Sequence, residues 1–226
     1  MSVTTPRTWT KITVDGRSFQ RLPVRTHWLT EKDDLAEVLS EYLTELEPGD
    51  TVAISEKVVV LLEGGAVPTG DVRVGREARL LASFVRPRPG SRGLSVPEKM
   101  AYVLRTTGRV RIYAAAAGGA VGRFFGVEGT FYRIAGSLAR DIDGARPPYE
   151  HLLFPPLEPV RAAHVCARLD QRLGVGVAIV DINDFGGSVR GVSPRSLPAS
   201  TLAAVLADNP MGQRLTGTPF AVIRPS

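Results

Sequence analysis

Three short clusters of acidic and amide side chains stand where apolar segments of this sequence end. The first, Asp141-Ile-Asp143-Gly144, comes after the segment GTFYRIAG. The second, Asp181 to Asp184, follows VGVAIV, and the third, Asn209 to Gln213, follows an apolar helical pattern. Carboxylates at the end of a buried strand are costly when unpaired, because desolvation disfavours their charged form. A hard divalent cation would remove this cost, and oxygen donors without a suitable histidine or cysteine favour Mg²⁺ or Mn²⁺ over zinc. The alternative is that each cluster is a turn or a helix cap, where Asp and Asn are preferred.

A lysine, Lys57, lies in an apolar, β-branched run at residues 51–62 that predicts a core strand with a polar break at residues 55–57. A lysine in such a strand is costly unless it meets an anion, so Lys57 is a candidate phosphate contact. The alternative is that its ammonium group reaches the surface along its own aliphatic stem. The chain has neither a GxxxxGK[ST] loop nor a GxGxxG turn, so neither common phosphate-binding loop would hold a nucleotide.

The composition is that of a folded globular protein with an excess of positive charge. The 226 residues are 43% hydrophobic and 23% charged, with a net charge of +5. One cysteine excludes an internal disulfide and a cysteine-rich zinc site. The arginines of the central region are scattered, without an aromatic-interleaved stripe: Arg73, Arg76, Arg79, Arg86, Arg88, Arg92, Arg105, Arg109 and Arg111. Solvated surface together with a site for a small anionic ligand explains them better than nucleic-acid binding.

The chain shows no pattern of a membrane protein. Its longest apolar run, residues 112–122, is too short to span a bilayer. The N-terminal residues MSVTTPRTWTK lack the apolar core of a signal peptide. We therefore expect a cytoplasmic protein without a membrane partner.

The periodicities and turn signals predict an α+β protein with mixed and antiparallel sheets and packed helices. Alternation at residues 8–24 around Asp15-Gly16 predicts a hairpin, which we interpret as an extension of residues 1–22 before a main domain of residues 23–226. Helices are predicted at residues 31–46, 97–106, 158–173 and 200–207. Strands are also predicted at residues 110–113, 129–134, 175–181 and 220–223, and a loop at residues 86–93.

Several of these segments, taken in order, resemble one enzyme family. They are LTEKDDLAEVL, GDTVAISEKVV, GTFYRIAG, DIDG followed by PPYEHLLFPP, VDINDFGG and DNPMGQRLTGTPFAVIRP, spread over residues 23–226. The chain resembles the coenzyme F-420 gamma-glutamyl ligases, and most closely a bacterial branch described as amino-acid ligases found beside an amidotransferase. The resemblance implies a gamma-glutamyl ligase-like fold and a homodimer. It also implies the activation of a carboxylate acceptor as an acyl phosphate by GTP or ATP, followed by amide formation with an amino acid, typically glutamate.

The resemblance also implies roles for individual residues. The implied metal ligands are Asp143, Asp181 and Gln213, and the implied catalytic residues are Lys57 and Asp181. Asn183 or Asp184 would have to replace a further metal ligand of the family, a threonine, because Ile182 stands at its position. The implied nucleotide contacts are Thr26, His27, Trp28, Leu29 and Lys57 in the first half of the chain, and Asp208, Asn209, Pro210, Met211, Gly212, Gln213, Arg214 and Leu215 in the second.

The chain departs from the family pattern at three places. Ile182 stands where the family has a metal-binding threonine, GGSVRG replaces a GRPWR segment, and Leu61 replaces a lysine. The leading hypothesis is therefore an amide ligase that uses a nucleotide and Mg²⁺ or Mn²⁺. A nucleotide- or metabolite-binding regulatory protein on the same fold, without the chemistry, is the alternative, and a structural protein that binds neither is a third.

Overall fold

The structure is a computed structural model that describes residues 8–86, 92–145, 147–184, 186–212 and 217–226. The chain divides into two compact units. Unit 1 consists of Met1–Gly64 with Leu157–Ser226, and unit 2 consists of Gly65–Pro156. Most of the loop predicted at residues 86–93 lies outside the described residues.

Strands and helices are numbered in chain order. The strands are β1 Thr10–Val14, β2 Arg17–Val24, β3 Thr51–Ser55, β4 Val67–Pro68, β5 Asp143–Gly144, β6 Leu152–Phe154, β7 Gly176–Asn183, β8 Gly186–Val192 and β9 Phe220–Pro225. The helices are α1 Leu35–Tyr42, α2 Glu56–Leu62, α3 Arg76–Ser83, α4 Pro97–Thr107, α5 Arg109–Phe124, α6 Thr130–Ala135, α7 Ser137–Asp141, α8 Pro159–Leu173 and α9 Ala199–Val205. Short 3₁₀ turns lie at Thr69–Asp71 and Gly93–Ser95.

Unit 1 is built on one mixed sheet with the strand order β1-β2-β9-β3-β7-β8. Strands β3 and β7 pair in parallel, and their neighbours pair antiparallel. The predicted hairpin is confirmed: Asp15 and Gly16 join β1 to β2 with φ of 48° and 74°, the positive values that a tight hairpin turn requires. Because β2 pairs with β9, the hairpin forms two strands of this sheet.

Both faces of the unit 1 sheet are covered by helices. One face packs Ala53, Ala178 and Ala221 against Leu202 and other apolar residues of α9 and the turn after it. Helix α8 contacts β7 and β8, and α2 contacts β7. The predicted helix at residues 158–173 is confirmed as α8, which Pro159 opens at its first turn.

Helix α1 is shorter than the prediction of residues 31–46. The Asp34 carboxylate accepts hydrogen bonds from the N–H groups of Ala36 and Glu37, so the helix begins at Leu35. The preceding Asp33 instead holds a separate turn, because its carboxylate accepts the N–H of Thr30 at 2.6 Å. Asp33 thus belongs to a turn and Asp34 caps the helix that follows. The apolar periodicity alone did not predict this boundary.

The strand predicted at residues 51–62 is correct only as far as Ser55. From Glu56 the chain is helical, and α2 buries Val59, Val60 and Leu61. Its three consecutive valines favour a strand by propensity, but packing of the short helix against β7 overrides that preference. Lys57 therefore lies in the first turn of a helix and not within a strand.

Unit 2 is mainly helical, with a small sheet of order β4-β6-β5. The strands predicted at residues 110–113 and 129–134 are wrong, since these residues belong to α5 and α6. A Cβ atom added at Gly119 would lie 3.0 Å from Phe131 Cβ, and one added at Gly122 would lie 2.6 Å from Thr130 Oγ1. These glycines therefore let α5 and α6 approach closely. The helix predicted from Pro97 is confirmed as α4.

The C-terminal elements follow the predictions with one difference that affects the site. Helix α9 and strand β9 lie where they were predicted. Strand β7, expected to end at Asp181, continues through Ile182 to Asn183 and pairs there with β8. Asp181 is therefore neither a turn residue nor a helix cap. The observed elements confirm the α+β class, and in the described part of the chain no helix is long and apolar enough to cross a membrane.

Candidate functional site

The carboxyl ends of the two parallel strands in unit 1 form the candidate site. Ser55, the last residue of β3, is the register partner of Val180 in β7. Glu56 and Lys57 follow at the start of α2, and Asp181 follows Val180 in β7. Ligands commonly bind at such carboxyl ends, because the loops that leave the strands there are free to carry polar groups.

At this edge a single arginine joins two carboxylates. Arg190 donates from a terminal nitrogen to Asp181 Oδ2 at 2.9 Å and from Nε to Glu56 Oε2 at 3.2 Å. Arg190 is the extra residue of a β-bulge, because Ile179 pairs with Gly191 while Val180 pairs with Val189. Bulges redirect a side chain and recur beside active sites. The guanidinium thus pairs with Asp181, for which the sequence predicted a divalent metal ion.

Glu56 is the more buried member of this cluster. Its side chain is 8% exposed, and it also accepts the Leu157 N–H at 2.7 Å. Burial raises the pKa of Glu56, with the negative charge of Asp181 adding to the effect, while the Leu157 N–H and Arg190 act in the opposite direction. The site therefore holds one carboxylate that the protein environment disfavours as an anion.

A second polar contact lies just beyond the end of β7. Asn209 donates from Nδ2 to Asp184 Oδ1 at 2.7 Å. Asn209 is 7% exposed and has a φ of 50°, a left-handed conformation that asparagine tolerates better than most residues. Its Oδ1 is buried and has no hydrogen-bond partner among the described residues. A buried acceptor without a donor is costly, and a bound cation or a ligand donor would satisfy it.

The first predicted nucleotide-contacting loop is hydrogen-bonded to the chain just before β9 in unit 1. Thr26 N–H donates to Gly217 O at 2.9 Å, and Gly217 lies two positions beyond the second predicted segment, residues 208–215. Asp208, in that segment, forms a two-nitrogen ion pair with buried Arg21, whose hydrogen bonds lower the pKa of the aspartate. The ion pair fixes the start of the segment against β2. Trp28 is 47% exposed in the first loop and offers a surface on which a planar ring could stack.

The remaining predicted site residues lie in several parts of the chain. His27 contacts Tyr42 and Asp33. Leu29 and Met211 are buried, and Pro210 and Gly212 lie in the turn after Asn209. Lys57 is partly buried in α2. Asp143 belongs to unit 2, where its carboxylate lies 3.5 Å from Lys99 Nζ and accepts the Gly144 N–H. Gln213, Arg214 and Leu215 lie outside the described residues.

The donor chemistry of unit 1 fits a hard divalent cation in part. Asp181, Asp184 and the Oδ1 atom of Asn209 are oxygen donors of the kind that Mg²⁺ and Mn²⁺ prefer. Across the residues that the structure describes, no three or more His, Cys, Asp and Glu side chains group as a metal site. Arg190 occupies Asp181 Oδ2, so that oxygen can bind a metal only when the arginine releases it.

Sequence reasoning missed Glu56 and Arg190 as site residues. The polar break at residues 55–57 did single out the position of Glu56, but it drew attention to Lys57. No local pattern marks Arg190, whose contact with Glu56 joins residues 134 positions apart and depends on the bulge in β8. No protein-family model matches this chain, and no curated protein is significantly similar to it.

Proposed function

We propose that the protein is an amide ligase that depends on a nucleoside triphosphate and a divalent metal. It would join an amino acid, with glutamate as the first candidate, to a carboxylate acceptor. The proposal rests on one observation above the others: Asp181, Asp184, Lys57 and the Asn209 segment border the carboxyl end of the same parallel strand pair. The resemblance of these segments to the coenzyme F-420 gamma-glutamyl ligases supports the same chemistry.

The reaction would proceed in two steps. The acceptor carboxylate attacks the terminal phosphorus of the triphosphate, and the nucleoside diphosphate leaves. The amino group of the amino acid then attacks the acyl phosphate carbonyl; the C–N bond forms, inorganic phosphate leaves, and the amine loses a proton. Phosphoryl transfer of this kind is catalysed mainly by positioning and by stabilising charge.

The residues of unit 1 would take distinct parts in this scheme. Asp181 and Asp184 would hold Mg²⁺ or Mn²⁺, which when bound neutralises phosphate oxygens. Lys57 would contact the transferred phosphate as a point charge from the first turn of α2. The segment that begins at Asp208 would contact the nucleotide, held in place by Arg21. Glu56 would position Arg190 and so set the distance between that cation and Asp181.

A regulatory protein that binds the nucleotide without consuming it is the second candidate. The ion pair between Arg190 and Asp181 favours it, because that pair already neutralises the carboxylate that the ligase needs for a metal. Ile182 favours it too, since the resembling family has a metal-binding threonine at that position. The two candidates differ in turnover and not in nucleotide binding.

Product analysis separates the ligase from the regulator. We expect GTP or ATP with Mg²⁺ or Mn²⁺ to yield one diphosphate and one phosphate for each amide bond, only when amino acid and acceptor are both present. Acceptors can be supplied as a metabolite extract, and mass spectrometry then identifies species that have gained one amino-acid residue. Cleavage to the nucleoside monophosphate would contradict the acyl phosphate route. Saturable nucleotide binding with no consumption would favour the regulator.

We also propose a cytoplasmic homodimer. A nucleoside triphosphate cosubstrate and the free thiol of Cys166 suit the cytoplasm. Helix α5 exposes Val110, Val121 and Phe124 at 85%, 58% and 85%, and exposed large apolar side chains of this kind support self-association. Sedimentation velocity should show a species of twice the chain mass, and Phe124→Ser should shift it toward the monomer. A monomer at all concentrations would contradict the dimer.

A further inference from the structure

Unit 2 contains an open cavity of about 990 Å³ that the proposed ligase chemistry does not use. Its walls come from unit 2 alone: the segment before α3, the first turn of α3, the end of α4 and the first turn of α5. The floor is apolar and consists of the buried residues Val72, Ala78, Ala101 and Leu104. A volume of this size exceeds that of a simple inorganic ion and lies within the range of small-molecule sites.

The rim of this cavity is strongly basic. Four arginines line it, namely Arg73, Arg105, Arg109 and Arg111, against two acids, Asp71 and Glu77. Glu77 is already engaged, because it pairs with Arg109 at 3.1 Å and accepts the Tyr113 hydroxyl at 2.7 Å. Two of the four positive charges at the rim therefore have no matching carboxylate in the cavity wall.

Two of these arginines are held in place by neutral groups. Arg111 donates from Nε to the Ile134 carbonyl at 2.7 Å, and the guanidinium of Arg105 lies 5.6 Å from the centre of the Tyr102 ring. A carbonyl and an aromatic ring orient a guanidinium without cancelling its charge. The remaining guanidinium nitrogens of both arginines can still donate to an anion.

Two of the rim arginines lie at an electrostatically unfavourable end of a helix. Arg109 and Arg111 lie in the first turn of α5, which contains no acidic residue. Cations at the amino end of a helix are unfavourable, because that end already carries partial positive charge. Like charges on one rim add to the cost. An anion in the cavity would remove both penalties.

We propose that this cavity is a binding site for a small organic anion, in which a carboxylate or phosphate group is joined to an apolar body. The arginine rim would bind the acidic group, and the apolar floor would bind the body. This site would also account for four of the nine central arginines, whose distribution in the sequence favoured solvated surface together with a small anionic ligand. The proposal does not require the ligase activity, since every residue that carries it belongs to unit 2.

Calorimetric titration with matched ligands tests both parts of the site. The probes are 1-naphthyl phosphate and 1-naphthoate, with inorganic phosphate and 1-naphthol as their separate halves. At least one naphthyl anion should bind at least about tenfold more tightly than either half, because charged hydrogen bonds and apolar burial each contribute. The tighter of the two anions identifies the preferred acidic group. Equal binding of naphthol and both anions would overturn the proposal.

Variants locate the binding on the protein. Arg105→Gln combined with Arg111→Gln should weaken the naphthyl anion at least about tenfold, since each loses a charged donor. Arg79→Gln is the matched control, because Arg79 is exposed on α3 and does not line the cavity. Unchanged binding in the double variant, or an equal loss in the control, would contradict the site.

One further variant separates this site from a phosphate contact in unit 1. Lys57→Gln should leave the binding of 1-naphthyl phosphate unchanged. If Lys57→Gln weakens the binding of 1-naphthyl phosphate and the double arginine variant does not, the ligand binds in unit 1 and the proposal is overturned. Far-ultraviolet circular dichroism and the melting temperature confirm that the double variant is folded, which the exposure of both arginines leads us to expect.

Discussion

Replacement of Asp181 by asparagine is expected to reduce ligation by about a thousandfold or more, equivalent to about 4 kcal/mol in the transition state. The substitution keeps the size of the side chain and removes its negative charge. Asp181 would hold the cation that neutralises the transferred phosphate, so its charge matters most when negative charge builds up on phosphate oxygens. The rate of diphosphate release with saturating amino acid and acceptor measures the effect.

The fold should survive the same substitution. The Asp181 side chain is 36% exposed, and Arg190 retains its contact with Glu56 when Asp181 is neutral. We expect the free energy of unfolding to change by at most about 1 kcal/mol, as for other partly exposed ion pairs. Glu41→Gln, a carboxylate-to-amide change on the exposed side of α1, is the matched control and should retain full activity. Full activity of Asp181→Asn would remove this residue from the mechanism.

Replacement of Arg190 by glutamine is expected to lower the free energy of unfolding by about 3 kcal/mol at pH 7. The arginine and Glu56 are 16% and 8% exposed, so loss of the cation leaves a buried carboxylate without its ion pair. Removing one partner of a buried pair costs more than the pair contributes, because the remaining charge stays desolvated. Urea denaturation of the wild type and the variant measures the difference.

The stability lost in the Arg190→Gln variant should increase as pH rises. Burial raises the pKa of Glu56 in the folded protein above its value in the unfolded chain. In the window between these two values the folded state binds more protons than the unfolded state, so the contribution of Glu56 to stability falls as pH rises. Without Arg190 the pKa rises further and the window widens upward. The variant should therefore lose most stability near neutral pH and recover as pH falls toward about 4.3.

A double-mutant cycle shows whether Glu56 causes this loss. Glu56→Gln alone should cost little at pH 7, because Arg190 keeps its ion pair with Asp181 and the neutral amide oxygen can still accept the Leu157 N–H. In a Glu56→Gln background, Arg190→Gln should lower the free energy of unfolding by only about 1 kcal/mol. That amount is the contribution of the ion pair between Arg190 and the more exposed Asp181. Equal losses in both backgrounds would show that the arginine stabilises the protein through other contacts.

The sequence predicted correctly the elements whose ends are set by turn residues and by prolines. Asp15-Gly16 fixes its hairpin through positive φ values, and Pro97 and Pro159 open helices at a position where their missing N–H costs nothing. The segments at residues 110–113 and 129–134 read as strands by pattern and became helices. Their short apolar runs carry too little periodicity to separate the two states, and the glycines that pack α5 against α6 act only once both helices exist.

Two acids of the candidate site, Asp181 and Asp184, could be predicted from the sequence, whereas Glu56 and the partners of these acids could not. Asp181 and Asp184 stood out because carboxylates followed an apolar strand, and Asn209 stood out as an amide after a helix. That Asn209 bonds to Asp184 depends on a contact between residues 25 positions apart, and the role of Arg190 depends on a bulge. The cost of burying Asp181 led to a predicted metal ion, whereas the structure pairs Asp181 with Arg190. No local pattern distinguishes such an arginine from a metal as the source of positive charge.

The most direct test is a crystal structure with Mn²⁺ and a non-hydrolysable nucleoside triphosphate analogue, in which anomalous scattering locates the metal. We expect an anomalous peak within coordination distance of Asp181, next to the phosphates, with the Arg190 contact to Asp181 broken and its contact to Glu56 kept. A bound nucleotide with Asp181 still paired to Arg190, or a manganese ion far from Asp181 and Asp184, would contradict this expectation.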